Sequence, residues 1–112
     1  MNQNESYYMC SVCGWDKLEN PPYYEHFAGS NEICSCCGFE FGVDDFDCVE
    51  IDMKQLSDED IVKQAHEIYR HNWINHHFKL FNPSMFRGSV KTGQQLNADV
   101  AMNQLQRTIY KT

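Results

Sequence analysis

One phrase occurs twice near the start of this chain, as Cys10-Ser11-Val12-Cys13-Gly14 and as Cys34-Ser35-Cys36-Cys37-Gly38. Each is a pair of cysteines two residues apart with a glycine behind it, and the 20 residues 14–33 separate the pairs. Thiolates at this spacing are what a tetrahedral structural zinc site requires. Four sulfurs brought together without a cation repel one another, so the pattern predicts a fold closed by one metal ion, with Cys10, Cys13, Cys34 and Cys37 as ligands. Glycine suits the position after each pair, because the chain reverses tightly there and glycine tolerates positive φ. Backbone N–H groups beyond the first cysteine of each knuckle are expected to turn toward sulfur and lower the charge felt around it. A closed site of this kind does not catalyse. Its ion is a staple, worth on the order of 10–16 kcal/mol in small zinc peptides.

At 112 residues the chain is one domain by length, with a core for which a metal cross-link matters. The expected fold class is small α+β. Residues 1–48 form an N-terminal zinc-ribbon or rubredoxin-like knuckle module with short antiparallel strands. Residues 49–112 form a helical region, two helices packed against that module in a single compact domain. Tyr7-Tyr8-Met9 is a strand candidate into the first knuckle, and Phe39-Glu40-Phe41 alternates as a strand does after the second. Asn20-Pro21-Pro22 breaks the chain between them, Tyr23 to Asn31 is an ordered loop or hairpin end, and Gly42-Val43-Asp44-Asp45 is a turn. Aromatic side chains are 13% of the sequence and cluster near the cysteines, so rings are expected to build the core there.

Ser57-Asp58-Glu59-Asp60 has the form of a capped helix start, with acids suited to the helix dipole. Ile61, Ala65, Ile68, Tyr69 and Asn72/Trp73 then follow one helical stripe. The spacing predicts a helix from about Asp58 to about Leu80, ended by Asn82-Pro83. Ser84 to Gly93 reads as irregular. A second helix begins near Asn97 as cap, with Ala98, Ala101, Leu105 and Thr108 or Ile109 inward; a start at Thr92 is the alternative.

Charge is uneven. The chain carries −7 overall, of which residues 1–56, with 11 acids and two bases, hold −9, and residues 57–112, with five acids and seven bases, hold +2. Four thiolates on one Zn²⁺ add −2 to the acidic half. Phosphate backbones are repelled by such a surface, so nucleic acid is not an expected partner, and a basic protein is. The start is polar and no run approaches the ~18 apolar residues of a membrane helix. The expected compartment is therefore the cytoplasm, where thiols stay reduced and six cysteines favour metal over disulfides.

Other features invite chemistry. Cys36 fills the variable knuckle position that Val12 fills in the first copy and reads as a small buried or half-exposed thiol. The functional alternative is an alternate ligand, or a redox partner that expels zinc on oxidation. Cys48 reads as a core residue. His66 and His71 come near the metalloprotease helix motif, but that motif needs histidines four apart; five apart places them about 140° around a helix. His71-Asn72 and Asn75-His76-His77 suggest a His-Asn-His nuclease, which needs a strand–loop–helix unit where this segment reads as helix. Trp73, His77 and Phe78 are expected to pack on the metal module, with His71 and His76 solvated or capping. The run through Phe81, with Met85 and Phe86, is read as cement between the two halves, or as a partner site where it stays exposed. Asp44, Asp45 and Asp47 read as a solvated turn.

The knuckles resemble those of rubredoxins, which hold one iron and carry electrons. The interval here is shorter, and the helical second half is foreign to that family. A wider resemblance covers residues 7–47. Tyr8-Met9-Cys10-Ser11-Val12-Cys13-Gly14-Trp15, Glu32-Ile33-Cys34-Ser35-Cys36-Cys37-Gly38-Phe39-Glu40 and the acids Asp44-Asp45 resemble small bacterial cysteine-rich proteins with a Cys-Pro-x-Cys phrase. Ser11 and Ser35 stand where that family has proline, and Cys36 is extra. The resemblance implies a zinc-binding domain, with a hint of a toxin-immunity-like or regulatory role. The expected function is non-enzymatic: a protein with a structural zinc held by four cysteines that binds another protein, with a rubredoxin-like iron carrier or a zinc-releasing thiol sensor as alternatives.

Overall fold

The two cysteine phrases fold as two matching turns in the computed structural model, which describes residues 7–46 and 56–109. In the first, Gly14 N–H donates to Cys10 O at 2.9 Å and Cys10 N–H to Trp15 O at 2.7 Å. In the second, Gly38 N–H donates to Cys34 O at 2.8 Å and Cys34 N–H to Phe39 O at 3.0 Å. Both glycines sit at positive φ, +87° and +86°, the left-handed region expected of them. Each turn lies inside one isolated antiparallel bridge, Tyr8 with Leu18 and Ile33 with Glu40. The short strands expected beside the knuckles are thus single bridges.

Alternation still decides burial after the second knuckle. Phe39 and Phe41 are fully buried and Glu40 is not. Their rings pack 5.0 Å apart, and with Val12, Leu18 and Trp15 they form the floor of the core. Burying each large side chain is worth about 1.5–3 kcal/mol. Tyr7, Tyr8 and Tyr24 are exposed, so not every ring near the cysteines joins the core. The segment expected as an ordered loop closes through a bridge between Tyr23 and Gly29, with a short 3-10 turn at Glu25–Phe27 inside it.

Helix α1 spans Asp58–Asn75 and α2 spans Ala98–Ile109. Ser57 Oγ accepts from Asp60 N–H at 3.2 Å, capping α1 as its sequence implies. Ile61, Ala65 and Trp73 are buried on its expected stripe, and Val62 and His66 join them. The helix stops five residues short of Leu80, before the proline can act. His77 and Phe78 adopt positive φ, and the chain turns back so that Phe78 N–H reaches Trp73 O. The reason is tertiary: Leu80 N–H donates to Gln94 O, and Leu96 N–H to Phe78 O, so these residues pair with a hairpin instead of continuing the helix. That hairpin, β1 Lys91–Thr92 with β2 Gln95–Leu96, is the one two-stranded antiparallel sheet among the described residues; its first strand lies in the stretch that reads as irregular, and its second replaces the alternative helix start at Thr92. His77 is exposed, not packed; His76 caps α1, its Nδ1 2.7 Å from Asn72 O.

In α2, Ala101, Leu105 and Thr108 are buried as expected, whereas Ala98 is exposed. Gln104 is buried beside them. Asn97 does not spend its side chain on the helix; Thr92 Oγ1 donates to it and its amide donates to Ser89 O, tying the helix start to the hairpin. The cement between elements is partial: Trp73, Leu80 and Phe86 pack inward, and Phe81 and Met85 are exposed. Cys48 and Asp47 lie outside the described residues. None of the described helices is long and apolar enough to cross a membrane.

Gly14 carries a second constraint that its sequence context conceals. A Cβ built on it would overlap the Gln104 carbonyl of α2. Gly93 also has positive φ, +64°, but nothing lies within 4 Å of its Cβ position. Gly14→Ala is expected to cost at least about 2 kcal/mol, from strain plus the clash, and Gly93→Ala about 1 kcal/mol from strain alone. Denaturant midpoints of the two variants check the difference.

Candidate metal centre

The knuckles place four sulfurs, two on each turn, at one point. Ligand atoms of Cys10, Cys13, Cys34 and Cys37 all lie within 4.8 Å of one another. Cys10 Sγ is 3.8 Å from Cys37 Sγ, and Cys13 Sγ is 3.7 Å from Cys34 Sγ. A tetrahedron with Zn–S bonds of about 2.3 Å has sulfur–sulfur edges of about 3.8 Å. The donor set and its spacing therefore fit such an ion, and tetrahedral S₄ suits iron as well. No disulfide forms: these cysteines are free thiols, as is Cys36.

Electrostatics makes the same demand. The four sulfurs are sealed from water, with Cys37 the most exposed at 6%. Two thiolates about 4 Å apart repel by about 4 kcal/mol at an effective dielectric of 20. Six such pairs together exceed the ~5–15 kcal/mol that holds a domain folded. Burial pushes the Cys13 and Cys37 thiols well above the usual range. Burial acts on Cys34 in the same direction, but the neighbouring thiols, with Cys13 Sγ at 3.7 Å, hold it below that range. Burial opposes ionisation across the cluster, and a divalent cation is what would let all four sulfurs become thiolates.

Around the sulfurs the knuckle peptides are held from outside. Val12 N–H points to Cys10 Sγ at 3.4 Å. Arg70 on α1 donates from Nε to Val12 O at 2.7 Å and from Nη2 to Ser11 O at 3.0 Å. Tyr69 Oη–H donates to Cys37 O at 3.1 Å. Phe81 N–H and Asn82 N–H, past the end of α1, donate to Cys36 O at 3.0 Å and Ser35 O at 2.9 Å. From α2, Gln104 Nε2 approaches Cys13 O at 3.4 Å and Cys36 Sγ at 3.5 Å. Cys36 is thereby fully buried with an amide donor on its sulfur. Sequence reading missed Arg70 and Gln104. Both are polar residues adjoining apolar stripes, and only the paired halves reveal what they reach.

A polar network missed by the same reading lies beside the centre. Asp45, expected in a solvated turn, is fully buried, and both its oxygens accept from Gly42 N–H at 3.1 Å. Tyr23 Oη–H donates to Asp45 Oδ2 and lies 2.9 Å from His66 Nε2. Since tyrosine has one hydroxyl proton, His66 Nε2 must carry its own and donate to Tyr23. The ring sits edge-on to Phe39, with centroids 5.2 Å apart, and tilted against Tyr23. Burial, and secondarily the Arg70 charge, push His66 down to about 4. His66 was weighed in the sequence as a zinc-site histidine, but it is held as a neutral core group, and neither it nor His71 joins a metal-ligand cluster among the described residues.

The sign of its pH effect follows. An unfolded His66 binds a proton near pH 6.5 and the folded one only near 4, so its contribution is complete above 6.5 and lost as pH falls to 4. The loss is of the order of 3 kcal/mol. Urea unfolding across this window is expected to show His66→Phe less stable at pH 7 but with a flatter decline toward pH 4 than the parent.

No protein-family model matches the chain, and no solved structure matches it. "Uncharacterized protein YoaQ" of Bacillus subtilis strain 168 is 30% identical over 104 residues, covering 92% of this chain and 87% of YoaQ. "Uncharacterized protein YozI" of the same organism is 29% identical over 100 residues, covering 88% of this chain and 82% of YozI. With similarity extending over nearly the whole of both chains, the protein belongs to the family of small bacterial proteins that includes YoaQ.

Proposed function

We propose that this protein is a non-enzymatic zinc-binding protein in which one structural ion, held by four cysteines, closes a zinc-ribbon-like module of residues 1–48, and that it works by binding another protein. The observation that carries the metal reading is the pair of buried sulfur–sulfur separations, 3.8 and 3.7 Å, that match the edges of a zinc–thiolate tetrahedron. Cys10, Cys13, Cys34 and Cys37 would hold the ion, which supplies charge compensation and a cross-link. Four protein ligands leave no position for a substrate or water, which favours a structural role over a catalytic one.

The partner reading rests on charge and exposure. The excess of acid over base in residues 1–56 suits a basic protein surface and steers its approach. Phe81 and Met85, at 60% and 57% exposure, add apolar area beyond the second knuckle. A thiol sensor acting through Cys36 is less well supported, because oxidants need an accessible sulfur and this one is buried under Gln104. Toxin-immunity-like or regulatory action in the cytoplasm belongs within this proposal as a kind of protein binding.

Elemental analysis of the purified protein is expected to give one zinc per chain, with a colourless solution. A red protein carrying iron would instead favour an electron carrier, and a metal-free, fully folded protein would end the reading. Cys13→Ser and Cys34→Ser are each expected to abolish stoichiometric zinc and leave residues 7–46 unfolded by circular dichroism and proteolysis.

A further inference from the structure

We propose that Arg70 is a positioning residue of the metal centre: it fastens the first knuckle to α1 and acts on the Cys10 sulfur through the Ser11–Val12 peptide. The inference rests on the four-cysteine metal reading and goes beyond it, because it assigns control of the ion to a side chain 57 residues past the last residue of that knuckle's cysteine pair.

The path is short. Arg70 Nη2 donates to Ser11 O at 3.0 Å. That carbonyl shares its peptide plane with the Val12 N–H, which points to Cys10 Sγ at 3.4 Å. A cationic donor on the oxygen of an amide polarises it and makes its N–H a stronger donor, so the two bonds reinforce each other. The second prong, Nε to Val12 O at 2.7 Å, fixes the next peptide and with it the turn that carries Cys13. A guanidinium reaches the two carbonyls from two nitrogens held in a rigid fork, whereas an ammonium offers only rotatable donors on a single nitrogen.

The second knuckle offers an internal comparison. There Phe81 N–H donates to Cys36 O, an uncharged backbone donor on a carbonyl of the turn. Both knuckles are therefore backed by a donor on a turn carbonyl, but only the first donor carries charge. Among the described residues no carboxylate lies within ion-pair distance of Arg70; the pairs found there are Lys63–Glu59 and Arg107–Asp16. A zinc ion with four thiolates carries −2, so a half-buried guanidinium with no ion-paired acid among the described residues would have the centre as its nearest strong counter-charge there.

The test uses the full-length, zinc-loaded protein and reads the rate of zinc transfer to a chromogenic chelator in excess. Arg70→Ala is expected to bind one zinc and release it at least tenfold faster than the parent, with Arg70→Lys between the two. Ile61→Ala, destabilised in a separate apolar cluster, is expected to release within twofold of the parent at a temperature where it stays folded. In cobalt-substituted protein, Arg70→Ala is expected to keep four-sulfur absorption while its thiolate-to-cobalt band moves to longer wavelength, as a less hydrogen-bonded sulfur requires. Parental release rate and band position in Arg70→Ala would overturn the inference and leave the four-cysteine site standing; a parent that binds no metal would overturn both. Should the alanine variant not fold, Arg70→Gln, which keeps most of the volume and loses the charge, decides by the same two readings.

Discussion

Four sulfurs in a space closed to water are the constraint on which the rest of this protein turns. Their mutual repulsion as thiolates exceeds what a small domain can absorb, and their desolvation as charges adds to it. The cluster can be protonated and weak, or metal-bound and strong. Its surroundings suit the second condition: separations near those of a tetrahedron, two turns of the same geometry facing each other, and the Val12 N–H directed at the Cys10 sulfur.

The second half of the chain is bound into that arrangement through carbonyls. Arg70, Tyr69 and Gln104 side chains and the Phe81 and Asn82 backbone together take up the oxygens of Ser11, Val12, Cys13, Ser35, Cys36 and Cys37. A knuckle reverses the chain so tightly that these oxygens point away from the sulfur cluster with no strand to pair them. Buried and unpaired, each would cost about 1–3 kcal/mol. Donors from elsewhere in the chain meet that demand, so α1, α2 and the segment after α1 are positioned by the outward faces of the two turns. The close approach of Gly14 to the Gln104 backbone belongs to the same fit.

Beside the centre, Asp45, Tyr23 and His66 form a buried polar chain walled by Phe39 and Phe41. Each member has its partner, which is the condition under which such a chain is stable in a low dielectric. It joins the turn after the second knuckle to the inner face of α1, and the loop that brings Tyr23 there holds His26 and Phe27 at positive φ. That local strain is carried by the surrounding contacts, including Tyr23 against Phe41 at 5.5 Å.

What was legible in the sequence was what depends on neighbours along the chain. Two cysteines three positions apart with glycine behind them dictate a turn wherever they occur, and Ser57 with Asp60, or the 3.6-residue spacing of Ala101, Leu105 and Thr108, dictates a helix start or face in the same local way. The pairing of the knuckles into one centre was also within reach, because charge leaves four such sulfurs few alternatives. The tertiary structure alone decided the features that require distant segments to meet: the end of α1 at Asn75, where Leu80 and Phe78 find hairpin partners; the burial of Asp45 and His66, acceptable only once Tyr23 lies between them; and the use of Arg70 and Gln104 on knuckle carbonyls. A polar side chain announces its type in the sequence, but whether it faces water or satisfies a buried group is set by what packs over it, and no local pattern holds that information.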